Sequence, residues 1–93
     1  MEKLYAVFYK TSDNQEYKDL FEYLNMLGEW IEPCKGIRFV KSNGLDVERV
    51  GNDLKYFAKE NTDVFIISRV HEDEMCAFMP SRNWIWIKRV RIN

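Results

Sequence analysis

The stretch Leu4-Tyr5-Ala6-Val7-Phe8-Tyr9 decides the fold of this chain. It is short and rich in aromatic and branched side chains, and the polar run Lys10-Thr11-Ser12-Asp13 follows it. This pattern predicts a strand that ends shortly before a helix. Alternation along a strand divides the six residues between two faces, with Leu4, Ala6 and Phe8 on one and Tyr5, Val7 and Tyr9 on the other. Neither face is polar, so we expect this strand to lie at the centre of a sheet that is covered on both sides.

Two amphipathic helices are predicted around the sheet. Ser12 or Asp13 can cap the first, whose apolar stripe has helical spacing: Tyr17, Leu20, Phe21, Leu24 and Leu27. Gly28 then ends this helix. The second helix is predicted over residues 46–59, and we explain Gly51 inside it by close packing against the sheet.

Three further strands complete the pattern. Residues 29–34 and 37–41 are strand-like runs separated by Gly36, which predicts a hairpin or a bulged strand. Pro33 belongs at an edge or a bulge because it cannot donate a hydrogen bond to a ladder. Residues 64–67 are the second run that is apolar on both faces. The order strand, helix, strand, strand, helix, strand predicts a ferredoxin-like α+β sandwich (βαββαβ), in which two helices pack on one face of an antiparallel sheet.

The other face of such a sheet carries no helix. Tyr5, Val7 and Tyr9 would line it together with one side of residues 64–67, and a bare apolar patch of that size is unusual on a monomer. We therefore expect a second copy of the chain to cover this face across a two-fold axis. The alternative is that the C-terminal segment folds back over it.

The C-terminal segment, residues 83–92, is rich in β-branched and aromatic side chains, which favours an extra C-terminal strand. A short helix beginning near Ser81 is the alternative. As a strand, the segment would place Trp84 and Trp86 on one side, where both rings could enter the dimer interface.

The same segment is basic. From residue 75 to the end there is no acidic residue, and the cations are Arg82, Lys88, Arg89 and Arg91. Cations interleaved with tryptophans are typical of surfaces that bind nucleic acid, with charge for phosphate and rings for unpaired bases. The competing interpretation, which we favour, is an edge strand protected by its cations, with the tryptophans in the core or the dimer interface.

Composition limits the class of protein. The 93 residues are 46% hydrophobic and 15% aromatic with a net charge of −1, which indicates one packed domain over residues 1–93 and no global field for nucleic acid or membranes. Two cysteines without a spacing motif, Cys34 and Cys76, favour free thiols in a reducing cytoplasm. No run approaches the roughly 20 apolar residues of a membrane span. No glycine-rich phosphate loop or other cofactor motif is present.

Several short motifs, taken together, resemble one known family. They are Leu27-Gly28-Glu29-Trp30, Pro33 and Phe39-Val40-Lys41-Ser42, followed by a helix, the turn Asn61-Thr62-Asp63, the strand at 64–67 and a late Asn83-Trp84-Ile85. In order and spacing the chain resembles the SinR-like proteins, relatives of the small dimeric CRISPR-associated scaffold protein that partners the spacer integrase. The resemblance implies a ferredoxin-like fold, a dimer built through the sheet and the C-terminal segment, and a setting in mobile elements or in defence and counter-defence systems.

One departure from the family bears on catalysis. The nuclease-competent relatives carry an aspartate directly after the aromatic residue that ends the first strand, whereas Tyr9 is followed here by Lys10. A hard divalent metal needs clustered carboxylate oxygens, which a lysine does not supply. Asp13 could reach the same place, but helix capping explains it better. His71 lies in an acidic turn and Cys34 has no evident base, so we predict neither a catalytic nor a metal site.

Three functions remain, in order of preference. The first is a non-catalytic dimeric interaction module or assembly scaffold that binds a protein partner. The second is nucleic-acid binding through the basic C-terminal segment, which would weaken steeply as the salt concentration rises. The third is a metal-dependent ribonuclease, for which Asp13 would have to be a metal ligand.

Overall fold

A four-stranded antiparallel sheet forms the centre of the computed structural model. The structure describes residues 2–11, 18–57, 63–76 and 79–92. Within these ranges it describes all side chains except those of residues 72 and 89–92. The strands are β1 (Lys3–Lys10), β2 (Glu29–Cys34), β3 (Ile37–Ser42) and β4 (Val64–Val70), and their order across the sheet is β2-β3-β1-β4. β1 pairs with β3 on one side and with β4 on the other. The stretch that opens the sequence is therefore a central strand, as predicted.

Three α-helices accompany the sheet: α1 (Lys18–Asn25), α2 (Val47–Leu54) and α3 (Ser81–Ile92). A short 3-10 helix, Glu72–Glu74, follows β4. The predicted α+β class and antiparallel sheet are confirmed. No helix in the described part of the chain is long and apolar enough to cross a membrane.

The start of α2 and the buried face of α1 follow from their sequences. Asp46 precedes α2 with extended backbone, and its carboxylate accepts hydrogen bonds from the backbone N–H groups of Glu48 and Arg49 at 3.1 and 3.2 Å. Leu20 and Leu24, from the apolar stripe predicted for α1, are both buried. The predicted caps of α1, Ser12 and Asp13, lie outside the described residues, as does the end of the predicted second helix at 58–59.

Gly28 and Gly51 differ in the space that a side chain would have. A Cβ atom added at Gly28 would overlap the backbone carbonyl oxygen of Lys41, so the chain needs glycine where it leaves α1 and enters β2. Apart from its own helix backbone and chain neighbours, no heavy atom of the described residues lies within 4 Å of the place where a Cβ would stand at Gly51 in α2. The close packing that we predicted to explain Gly51 is therefore wrong.

The main core lies between α1, α2 and one face of the sheet, which we call the first face. Its buried side chains come from all of these elements: Tyr5, Val7, Leu20, Leu24, Val40, Val50 and Leu54. The Tyr5 hydroxyl also accepts a hydrogen bond of 2.9 Å from the backbone N–H of Leu45, just before α2. Tyr5 and Val7, predicted for the helix-free face, thus lie beneath the helices. Alternation could not assign the faces because both sets of β1 side chains are apolar.

α3 covers part of the opposite face, which we call the second face. Ile87 of α3 is fully buried against Leu4, Ala6 and Phe39, and Trp86 packs at the edge of this smaller core. The C-terminal segment therefore folds back over the sheet, as in the alternative considered above. It covers the face that carries Leu4, whereas the alternative concerned the face that carries Tyr5 and Val7.

The predicted C-terminal strand is wrong, and the alternative of a terminal helix beginning at Ser81 is correct. Asn83 donates its backbone N–H to the carbonyl of Pro80 at 3.0 Å, which closes the first turn. The buried residues Asn83 and Ile87 are four apart, which is helical spacing. Strand propensity at this segment is outweighed by the burial of one helical side.

β2 is an edge strand with an irregular register against β3. Ile31 pairs with Phe39 and Cys34 pairs with Ile37, so β2 holds one residue more than β3 between these pairs. Pro33 lies within this bulge, as predicted, and Gly36 with φ +95° forms the turn into β3.

Candidate functional site

The side chains predicted to meet a second copy are engaged within the chain. Tyr5 and Val7 are 3% and 0% exposed in the main core, so they present no surface to a partner. Tyr9, at the same face, is half-buried and stacks its ring on Phe65 with centroids 6.3 Å apart. A dimer that formed would need another surface.

A polar cluster surrounds Tyr9 at the end of the first face. The Tyr9 hydroxyl donates a 2.6 Å hydrogen bond to Oε1 of Glu32, and the guanidinium of Arg38 donates to the same oxygen at 3.4 Å and to Oδ1 of Asn25 at 2.8 Å. Burial, followed by the Glu32 carboxylate, raises the pKa of Tyr9. Tyr9 therefore keeps its proton at neutral pH and serves as a hydrogen-bond donor rather than a base.

Arg38 is the buried centre of this cluster. It is 4% exposed, and its guanidinium carbon lies 3.8 Å from the ring centroid of Trp30 and 5.7 Å from that of Phe21. A guanidinium stacked on aromatic rings and paired with an acid is held in one place. The cluster therefore stabilises the packing of α1 on β2 and β3.

The two tryptophans predicted for the interface differ in their surroundings. Trp86 donates its indole N–H to Oε1 of Glu29 at 2.9 Å, and the ammonium of Lys41 lies 4.1 Å from its ring centroid. Trp86 therefore fastens α3 to the sheet. Trp84 is half-buried and lines a shallow depression of about 520 Å³ together with Met75, Ile85 and Lys88.

The basic residues predicted to contact nucleic acid all fall on α3. Arg82 and Lys88 are exposed. The side chains of Arg89 and Arg91 lie outside the described residues. These four residues thus belong to a helix and not to the predicted edge strand.

An open cleft lies on the second face of the sheet. Its volume is about 790 Å³, within the range of small-molecule sites. Its floor comes from the sheet, with Ala6 and Phe8 of β1 and Ile37 and Phe39 of β3. The segment between β4 and α3 forms one wall, with Met75 and Met79. The end of β2 forms the opposite wall with Pro33 and Cys34.

The polar groups of the cleft come from separate parts of the sequence. Cys34 and Cys76 both line it as free, exposed thiols, and His71 and Glu74 belong to the wall beside the 3-10 helix. Sequence reasoning missed this site because the bulged end of β2 and the segment after β4 are about forty residues apart in the chain. The apolar run before Pro80 was the one available signal, since an apolar connection must cover something.

Charge in the cleft is unevenly distributed. The Arg69 guanidinium is occupied because it donates hydrogen bonds to the backbone carbonyls of Leu4, at 3.1 Å, and of Val70. Among the described residues, the Glu74 carboxylate has no hydrogen-bonding or ionic partner. Asp73, the residue before Glu74 in the chain, is also exposed. No group of three histidine, cysteine or acidic side chains within residues 2–11, 18–57, 63–76 and 79–92 could hold a metal ion.

An exposed apolar patch adjoins the cleft, where α3 no longer covers the second face. Phe8 is 40% exposed, Val64 51% and Ile66 54%. Phe8 and Ile66 are cross-strand partners, and Val64 pairs with Lys10 at the end of the same ladder. We call Phe8, Val64 and Ile66 the bare patch; it reaches the edge strand β4.

Comparisons with known proteins add no relative: no family model, curated protein or solved structure matches the chain. The resemblance to the SinR-like proteins therefore depends on the short motifs of the sequence alone. Function has to be argued from the bare patch, the cleft and the helix α3.

Proposed function

We propose that this chain is a non-catalytic interaction module that assembles as a homodimer through the bare patch. The observation that carries the proposal is the joint exposure of Phe8, Val64 and Ile66 at the β4 edge of the sheet. Clustered apolar side chains beside an unpaired strand edge favour pairing with another chain.

The symmetry of a homodimer suits this patch. A second copy that brings the same patch across a two-fold axis would cover it with a matching apolar surface.

The element order and the strand order also support a ferredoxin-like assignment. β1 and β3 occupy the centre, and the edges are β2 and β4, each preceded by a helix. This is the arrangement expected for two interlocked βαβ units. We propose on this basis, and on the quoted motifs, a distant relationship to the SinR-like family and a scaffold role in a defence or counter-defence setting.

Light scattering coupled to gel filtration tests the proposal. The wild-type chain should have about twice its 11.2 kDa mass at micromolar concentration. Ile66→Asp should give a folded monomer, because it places an unpaired charge at the centre of the interface. The matched control is Tyr56→Asp, which changes an apolar residue that is 86% exposed just after α2. A monomeric wild type, or a dimer that survives Ile66→Asp, would contradict the proposal.

Nucleic-acid binding is the second candidate, favoured by the exposed Arg82 and Lys88 on α3 beside the half-buried ring of Trp84. Metal-dependent ribonuclease activity is a weaker alternative. Lys10, exposed at the end of β1, occupies the position where the related nucleases carry an acid, and Asp13 lies outside the described residues.

A further inference from the structure

We propose that the cleft on the second face is a binding site for a small, flat aromatic molecule that carries a basic amine. This site adjoins the bare patch and shares Phe8 with it, whereas Val64 and Ile66 do not line the cleft. The proposal goes beyond self-association, and its test can be read separately.

The floor and wall of the cleft favour an aromatic ring. Phe8 and Phe39 rise from neighbouring strands, and Met75 and Met79 stand on the wall that faces them. Methionine sulfur and aromatic faces make favourable contacts with a flat ring, and methionine adapts its shape to the occupant. The volume of about 790 Å³ exceeds what a single solvent molecule needs and suits a ligand of ten to twenty atoms, on the order of a bicyclic ring with a short chain.

The charges around the cleft select a cation. Glu74 lines the cleft and has no partner among the described residues, and the adjacent Asp73 is exposed. The positive group of the lining, the Arg69 guanidinium, already donates to the carbonyls of Leu4 and Val70. A ligand amine would therefore meet the unpaired carboxylate of Glu74, whereas a ligand carboxylate would be repelled by Glu74 and would have to share Arg69, whose Nη1 already donates to two carbonyls.

The reactivity of the two thiols can show whether a ligand occupies the cleft. Cys34 stands at the end of β2 and Cys76 on the wall across the cleft, and both are exposed. A ligand seated on the floor between them would shield both from alkylation. A molecule bound elsewhere on the chain would shield neither.

Three indole probes of nearly equal size test the proposal: tryptamine, neutral indole and indole-3-acetate. In calorimetric or NMR titrations, tryptamine should bind saturably with a dissociation constant on the order of a millimolar or below, as expected for a small ligand. Indole-3-acetate should bind about three- to tenfold more weakly than tryptamine, with indole between them. Saturating tryptamine should slow the reaction of both cysteines with N-ethylmaleimide, read by mass spectrometry of each peptide.

Two variants assign these effects to the cleft. Glu74→Gln should remove the preference for the amine while leaving indole binding unchanged. Ser68→Trp fills the cleft from an exposed position of β4 and should abolish binding of all three probes, whereas Asn52→Trp on α2 should not. Circular dichroism checks that each variant is folded.

Three outcomes would overturn the proposal: no saturable binding, binding without preference for the amine, or binding that leaves either thiol unprotected. Repeating the titration with Ile66→Asp separates it from the proposed function. Unchanged binding in a monomeric variant supports an independent site, and lost binding in a folded monomer would overturn the proposal of a cleft complete in one chain.

Discussion

The ammonium group of Lys41 lies 4.1 Å from the centre of the Trp86 ring, in a site where only 4% of Lys41 is exposed. Lys41 belongs to β3 and Trp86 to α3, so this cation–π contact joins the C-terminal helix to the sheet. Glu29, the cross-strand neighbour of Lys41, accepts the indole N–H of the same ring. The ring thus stands between a buried cation and a carboxylate.

Truncation of this ring should loosen α3. Trp86→Ala should lower the free energy of unfolding by about 3 kcal/mol, because it removes a large aromatic side chain and leaves the Lys41 ammonium buried without its ring. Urea denaturation followed by circular dichroism measures the change. Trp86→Phe keeps a ring but loses the hydrogen bond to Glu29, and should cost about 1 kcal/mol. A loss below that value for Trp86→Ala would show that Trp86 does not hold the helix.

Gly51 is a position where the chain can be stabilised. Gly51→Ala should raise the free energy of unfolding by about 1 kcal/mol, because alanine has the higher helix propensity and its Cβ meets no neighbour in α2. Thermal melting of the wild type and the variant in parallel gives the comparison. An unchanged or lower melting temperature would argue against an open site at this position.

Gly28 should respond in the opposite direction. Gly28→Ala should lower the free energy of unfolding by about 1–3 kcal/mol, because the added Cβ overlaps the carbonyl oxygen of Lys41 and the backbone must shift. Gly28→Ala and Gly51→Ala add the same methyl group and should shift the melting temperature in opposite directions when both are measured by the same experiment. Two changes of the same sign would contradict the prediction.

Tyr23 stabilises the folded chain only while its hydroxyl is protonated, so this contribution should be lost in strong alkali. Burial, with the hydrogen bond of 2.8 Å that its hydroxyl donates to Asp53, raises the pKa of Tyr23 from 10.0 to about 12. The folded state holds this proton more tightly than the unfolded state, so the contribution is fully present below pH 10 and is lost between pH 10 and 12. Tyr23→Phe should therefore make the fall in stability across that window shallower. Parallel denaturation curves of the two proteins at several pH values are the measurement.

Binding to single-stranded RNA should be absent in the interaction module that we propose. Fluorescence anisotropy with a labelled oligonucleotide, at low and moderate salt, should give no saturable signal. Should binding appear with a steep salt dependence, and should Arg82→Ser with Lys88→Ser make that slope shallower while the protein stays folded, the nucleic-acid function would take first place. Unaltered binding in the double variant would place the contact elsewhere on the chain.

The sequence predicted the strands and the first two helices because their patterns are local. β1 is identified by its own composition, and Asp46 caps α2 through bonds that span only two and three residues. The sequence could not predict which face of β1 the helices cover, since Leu4 and Val7 are equally apolar. It also favoured the wrong structure for residues 83–92, where the burial of Ile87 against Leu4 and Ala6 determines a helix.

The cleft is harder to predict than the fold. Its lining includes Cys34 of β2 as well as His71 and Met75 after β4, and only the strand order β2-β3-β1-β4 brings them to the same face. Tyr5 and Val7, which were predicted for a dimer interface, are buried within the chain for a related reason. Exposure depends on which neighbours the fold supplies, and the sequence patterns of buried and exposed apolar strands are alike.

The bulge at Pro33 has a consequence for the number of copies that can join. Of the two sheet edges, β2 is interrupted where its register against β3 shifts, and its proline offers no donor to an incoming strand. β4 has no such interruption in its pairing with β1. β4 is therefore the more regular edge for extending the sheet. An assembly that used β4 alone would end at two copies.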